Sequence, residues 1–263
     1  RLTQRKSFLP ADRTSSPPFA QSLGGALGIG RAIVERFVYE GAAQVIIADI
    51  ADEVATELAD RLGTAAMFRH TDVKDTGAIA DLYAFIERDL GGLDVQVSNA
   101  GATTRMNFLD MTLDFWEHMQ ALNLRSVFLS GQAAAKLMIK SGRRGSIVNM
   151  ASVSGQQGGY GRAAYGATKA GIINLTQVMA AELAAHDIRV NAIAPAAIRV
   201  GGTEPGAIPG SGMISRLMMK RYGETHEVTG AALYLAGDDS TYTTGSTINV
   251  DGGFSGGGVL GET

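Results

Sequence analysis

The sequence predicts an α/β fold, a single doubly wound domain whose parallel sheet of about seven strands is flanked by helices. Three observations predict it. The 263 residues, 45% of them apolar, suit one α/β domain of ordinary size. Short apolar runs alternate with helical patterns of 10–15 residues from about residue 28 onward, the signature of βαβ units. A glycine-rich turn, Gly24-Gly-Ala-Leu-Gly28-Ile-Gly30, opens the first of those helices.

The elements follow in order. Arg31 to Gly41 reads as a helix with Ile33, Val34, Phe37 and Val38 on one face, and Ala43 to Asp49 as a buried strand. Asp52 to Leu62 is helical and Ala65 to Asp72 strand-like. Ile79, Leu82, Tyr83, Ile86 and Leu90 keep helical spacing up to the stop at Gly91-Gly92. Leu93 to Ser98 is a strand, Met111 to Ser141 a helix in two pieces, Gly145 to Ala151 a strand and Tyr160 to His186 a long helix. Arg189 to Ala194 and Ser246 to Asp251 are the last strands, with a helix at Thr225 to Gly237 between them. Residues 196–222 lack periodicity and read as a mobile loop with a short helix near Met213–Lys220.

Residues 1–23 read as an irregular N-terminal segment and 24–263 as the domain proper. A doubly wound fold should enter its glycine turn from a buried apolar strand. Here Pro17 and Pro18 argue against a central strand over Ser15–Leu23, because proline donates nothing to a ladder. Lys6-Ser-Phe-Leu9 is a rival first strand, 14 residues short of Gly24.

Composition excludes several classes. The net charge of −3 leaves no electrostatic footprint for nucleic acid. With no cysteine, disulfides, iron–sulfur clusters and thiolate zinc sites are ruled out. The four histidines lie far apart in sequence, so no metal site is expected. No apolar stretch approaches the roughly 20 residues of a membrane span, and no apolar leader segment is visible. A cytoplasmic protein without membrane partners is the expectation.

Three patterns carry chemistry. Glycines 24, 28 and 30 fit a plain turn, or a turn that lets the backbone approach a pyrophosphate at a helix N-terminus. Asp49 ends the next apolar run, 19 residues past Gly30. It fits a solvated cap, or a carboxylate that accepts from both ribose hydroxyls and repels a 2′-phosphate. No Arg or Lys occupies 25–27 or 50–51 to receive such a phosphate. Tyr165 and Lys169 share a helical face at i and i+4. They fit a solvated pair, or acid–base chemistry in which the ammonium lowers the phenol pKa. The absence of charge from Ala170 to Ala181 favours the second, and Ser152, 13 residues before Tyr165, can hold a substrate oxygen.

With these motifs in this order, the chain resembles the short-chain dehydrogenase/reductase family, over about Gly24 to Gly253. The resemblance rests on the glycine turn, Asp49, Asp72-Val73, Ser98-Asn-Ala-Gly101, the set Asn123, Ser152, Tyr165 and Lys169, Ala194-Pro195, and Asn249-Val-Asp-Gly-Gly253. It implies a Rossmann fold and an oxidoreductase that interconverts a secondary alcohol and a ketone with NAD. Tyr165 would be the general acid/base, Lys169 would tune it and bind ribose, Ser152 would orient the substrate oxygen, and Asn123 would support a water in a proton relay. The implied cofactor contacts are Gly24, Gly28, Ile29, Gly30, Asp49, Ile50, Asp72, Val73, Asn99, Ala100, Gly101, Tyr165, Lys169, Pro195 and Ile198. Ser152, Tyr165, Gln157 and Met213 are the expected substrate contacts, with Val153, Gln156 and Thr103 as further pocket candidates. The small-molecule partner is an alcohol or carbonyl, such as a polyol or sugar; a 3-oxoacyl compound is the alternative.

Several positions depart from the family pattern. Leu23 stands where Thr is usual, Leu27 where a small polar residue is usual, Ala196 for Gly and Val200 for a frequent Thr. The two leucines remove hydroxyls from the turn and are expected to weaken cofactor binding. A nonenzymatic dinucleotide-binding protein is therefore the other class of reading. The uncharged helix after Lys169 also predicts a homo-oligomer, a tetramer or a dimer.

Overall fold

The computed structural model describes residues 18–201 and 211–256, the side chains of 211–213 excepted. The chain runs β1 (Phe19–Leu23), α1 (Gly28–Tyr39), β2 (Gln44–Asp49), α2 (Asp52–Leu62), β3 (Ala66–His70), α3 (Thr76–Phe85) and β4 (Val95–Ser98). It continues with α4 (Leu113–Gln120), α5 (Ser126–Lys140), β5 (Ser146–Met150), α6 (Ala163–Leu183), β6 (Arg189–Pro195) and β7 (Ile198–Arg199). The last elements are α7 (Ser211–Arg216), β8 (Gly223–Glu224), α8 (Thr225–Ala236) and β9 (Thr247–Val250). Seven strands form one sheet in the order β3-β2-β1-β4-β5-β6-β9, and every pair is parallel.

The sheet is buried on both faces, as a parallel sheet with crossover helices must be. One face packs Ile33, Val34 and Phe37 of α1, Leu58 of α2 and Val228 and Leu235 of α8. The other packs Ile79 and Leu82 of α3, Leu137 and Met138 of α5 and Ala180 of α6. The strand order reverses between β1 and β4, where crevices open at the carboxyl ends of doubly wound sheets.

The expectation that the prolines keep the stretch before the glycine turn from forming a full central strand is corrected over Phe19–Leu23. β1 pairs with β2 over Phe19–Leu23 and with β4 over Ala20–Leu23, so it is a central strand. Proline does not prevent this, because Pro18 stands just before the first ladder residue, where no donor is required. Its carbonyl still accepts from Ala43 N at 3.0 Å. The strand entry is pinned by Asp94, which accepts from Phe19 N at 2.9 Å and from Arg143 Nη1 at 2.7 Å. The rival strand at Lys6–Leu9 lies outside the described residues.

Other differences are smaller. The first helix begins at Gly28 rather than Arg31, and the long helix at Ala163 rather than Tyr160. The two pieces of the 111–141 helix are joined through a π-helical turn at Ala121–Arg125. The loop after β6 carries β7, and its short helix is Ser211–Arg216.

Candidate active site

The glycine turn is built by close backbone approach. Gly24 has φ +69°, and a Cβ there would lie 2.7 Å from Ala100 Cα. A Cβ on Gly30 would fall 2.0 Å from the Gly24 carbonyl oxygen. That oxygen accepts from Asn99 Nδ2 at 2.8 Å, so the loops after β1 and β4 hold one another. Leu27 is the N-cap of α1 and supplies no side-chain hydrogen bond, which leaves the first-turn N–H groups of α1 without a side-chain cap. Leu27 is exposed, but Leu23 is 1% exposed and packs in the core beside Ile46 and Leu82. Of the two leucines in the turn, Leu27 lines the cleft and Leu23 does not.

Asp49 ends β2 and braces this turn. Its Oδ2 accepts from Ala26 N at 2.9 Å, and its Oδ1 from Ile50 N at 2.8 Å and Ala51 N at 3.1 Å. A carboxylate offers about four acceptor positions, so room for a further donor remains. Asp72 Oδ1 accepts from Lys74 N at 2.9 Å, and Lys74 Nζ lies 3.6 Å from Asp72 Oδ2.

The polar end of the cleft is set by β5 and α6. Ser152, two residues past β5, accepts from Ser154 N at 3.1 Å and lies 3.5 Å from the Pro195 carbonyl. Lys169 is buried, its Nζ donating to the Met150 carbonyl at 2.6 Å and lying 5.7 Å from the Tyr165 ring centroid. Burial pushes its pKa down to about 8. Asn123 is fully buried in the π-helical turn, and its amide clamps Ala102 by accepting from its N at 2.9 Å and donating to its O at 3.1 Å. A Cβ on Gly101 would lie 2.7 Å from Asn123 Oδ1 and 3.7 Å from Lys169 Nζ, so these groups converge on one backbone turn.

One cleft of about 740 Å³ joins these pieces. Gly24, Gly28, Ile29, Asp49, Ile50, Asp72, Val73, Asn99, Ala100 and Gly101 line it, with Ser152, Tyr165, Lys169, Pro195 and Ile198 at the other end. Gly30 and Asn123 act from behind the wall. Thr103 and Val200 also line the cleft. Gln157 does not; it lines an adjoining cavity of about 510 Å³ and lies 3.4 Å from Arg216. Val153 is buried in the core, and the side chain of Met213 lies outside the described residues. The sequence reading passed over Lys74, His118 and Leu122, which line the cleft, and Arg162, whose guanidinium lies 5.4 Å from the Tyr165 ring. A lone basic or apolar side chain on a helix or turn gives no motif by which to find it.

The family profile described as Enoyl-(Acyl carrier protein) reductase matches residues 24–255. The chain belongs to the short-chain dehydrogenase/reductase family. Among short-chain dehydrogenases/reductases it is 38% identical over 236 residues to a 3-oxoacyl-[acyl-carrier-protein] reductase of Thermotoga maritima, covering 88% of this chain and 94% of that one. It is 35% identical over 242 residues to a sorbitol dehydrogenase of Cereibacter sphaeroides, covering 88% and 94%. The crystal structure of a short-chain type dehydrogenase/reductase from Mycobacterium marinum superposes with a TM-score of 0.86 at 35% identity, covering 91% of this chain and 96% of that one. Membership in this short-chain family makes the protein an oxidoreductase of the carbonyl/alcohol class that uses a nicotinamide dinucleotide.

Proposed function

We propose that the protein is an NAD(H)-dependent oxidoreductase that interconverts a secondary alcohol and a ketone. The observation that carries this is the single cleft in which the glycine turn meets Ser152, Tyr165 and Lys169. The residues fit a dinucleotide. The Gly24–Gly30 approach leaves no room for side chains, and the N-terminus of α1 carries no side-chain cap. Gly24, Gly28, Ile29 and Gly30 would hold the pyrophosphate, Asp49 and Ile50 the adenosine ribose, Asp72 and Val73 the adenine. Asn99, Ala100, Gly101, Pro195 and Ile198 would flank the nicotinamide end. When bound, the nicotinamide supplies or takes up the hydride.

The chain's own groups handle the proton. In oxidation Tyr165 takes the proton of the substrate hydroxyl, and in reduction it returns one to the oxygen. The Lys169 ammonium favours the phenolate and so lowers the pH at which Tyr165 works as a base. Ser152 holds the same substrate oxygen by a hydrogen bond. Asn123 acts on position, keeping the Gly101–Ala102 turn against Lys169.

NAD is the proposed partner because Asp49 would repel a 2′-phosphate. Lys74 also lines the cleft, but its charge faces Asp72. The relatives' printed activities leave both a 3-oxoacyl compound and a polyol as fitting substrates. Exposed Phe128 on α5 and Val178 on α6 support a homo-oligomer, most simply a tetramer. A cytoplasmic location agrees with the lack, among the described residues, of a helix long and apolar enough to cross a membrane.

The test is steady-state turnover of ketones and secondary alcohols with NADH/NAD⁺ against NADPH/NADP⁺. Preference for the phosphorylated cofactor overturns the assignment of Asp49. Dinucleotide binding without turnover across the panel favours the nonenzymatic reading.

A further inference from the structure

We propose that Arg162 and Arg105 form a seat for an anion beside Tyr165, so that the preferred substrate carries a carboxylate or a phosphate a short carbon chain away from the reacting oxygen. The proposal rests on the reading of Tyr165 as the group that meets that oxygen.

Arg162 stands immediately before α6, one turn ahead of Tyr165. Its guanidinium carbon lies 5.4 Å from the Tyr165 ring centroid, and its Nη1 donates to Thr103 Oγ1. Thr103 and Tyr165 line the main cleft, and Arg162, which itself lines the cavity of about 510 Å³, reaches both of them. Arg105 is brought alongside by backbone contacts. Met106 N donates to the Gly161 carbonyl at 3.0 Å, and a Cβ on Gly161 would lie 3.5 Å from Arg105 Cβ. Burial, and then the charge of Arg105, push the pKa of Arg162 below its ordinary value.

Among the described residues no carboxylate forms an ion pair with either guanidinium. Arg31, Arg143 and Arg221, by contrast, each have an acidic partner within 3.0 Å. The first turn of α6 also contains no acidic residue. Two like charges and the positive end of a 21-residue helix thus gather at one place with no anion from this part of the chain to balance them. Such an arrangement is unfavourable in isolation and becomes favourable when an anion arrives, because a guanidinium presents paired donors to a carboxylate or phosphate.

The test compares matched pairs of ketones with NADH: acetoacetate against methyl acetoacetate, and dihydroxyacetone phosphate against dihydroxyacetone. The charged member of at least one pair should have a kcat/KM about tenfold or more above its neutral partner, and which pair it is tells carboxylate from phosphate. Arg162→Gln should lower kcat/KM on the charged member about tenfold more than on the neutral one, with Arg162→Lys recovering part of the difference. Arg105→Gln alters an exposed side chain, so it reads the same selectivity without endangering the fold. Equal kcat/KM within both pairs, or equal losses on charged and neutral members in the Arg variants, overturns the proposal. If no ketone is turned over, the oxidoreductase reading fails on its own. Calorimetric titration of acetoacetate and its methyl ester into wild type and Arg162→Gln then decides the anion seat.

Discussion

The turn after β1 and the start of α6 face each other across one cleft, yet they are built from opposite materials. At the turn the working parts are backbone, with carbonyl and N–H groups brought together because Gly24 and Gly30 have no side chain in the way. At α6 the working parts are side chains, Tyr165 above a buried Lys169 whose ammonium is held by the Met150 carbonyl. The difference teaches what each region tolerates. β1 makes its full ladder although it carries Gln21 and Ser22 where a buried strand favours apolar residues. Both side chains are fully buried, and Gln21 Oε1, Gln21 Nε2 and Ser22 Oγ lack hydrogen-bond partners. The Tyr83 hydroxyl donates to Gln96 Oε1. The ladder survives this, while under the proposed chemistry no comparable exchange at Tyr165 is tolerated.

The largest effect should come from the side-chain region. Tyr165→Phe removes the transferable proton and is expected to lower kcat by about 10²–10⁴-fold with little change in melting temperature. Near wild-type turnover in that variant would sink the contrast altogether. Next comes the backbone region. Gly30→Ala places a methyl group against the Gly24 carbonyl and must displace the turn, and a misplacement of about 1 Å is worth roughly 10²-fold. NADH binding by calorimetry should weaken on that scale.

Lys169 sharpens the contrast through pH. Burial lowers its folded-state pKa from 10.5 to about 8, so between those values the unfolded chain binds more protons than the folded one. The sign follows: this group makes stability rise as pH climbs from 8 to 10.5, and below 8 its buried charge weighs fully against the fold. Melting curves of wild type and Lys169→Met should converge over that window, and parallel curves would contradict the assignment.

The smallest effects separate the two leucines. Leu27→Ser offers α1 an N-cap worth about 0.5–2 kcal/mol and should tighten NADH binding by up to about tenfold. Leu23→Thr takes packing from the core and buries a hydroxyl there, so it should lower stability by about 1–3 kcal/mol without tightening binding. Equal tightening by both would restore the expectation drawn from sequence alone.

The same contrast explains what was legible in the sequence. Asp49, Ser152, Tyr165 and Lys169 are chemically distinctive, and their spacing places them at strand ends and along one helical face. The alternation of strands and helices was readable from Arg31 onward because parallel strands are apolar on both faces. β1 was not readable, because Pro17, Pro18, Gln21 and Ser22 argue against a strand, while the pairing that overrides them comes from β2 and β4, the latter some seventy residues away. Arg162 escaped notice because its meaning depends on Thr103 and Arg105, which only the folded loops bring alongside.

The position of β1 also has a consequence in time. It is made before every other strand of the described residues, yet it stands in the middle of the finished sheet. Its second partner, β4, ends at Ser98, and at about 5–20 residues per second a ribosome needs several seconds to reach that point from Leu23. Through that interval one strand edge waits unpaired. A uniformly apolar segment in that position is prone to self-association, and Gln21 and Ser22 interrupt it. The two residues that burden the finished core therefore shield the unfinished one. Gln21→Leu should raise the melting temperature by a few degrees, as removal of about 1–3 kcal/mol of unpaired polarity implies, while lowering the fraction recovered soluble on synthesis at high concentration.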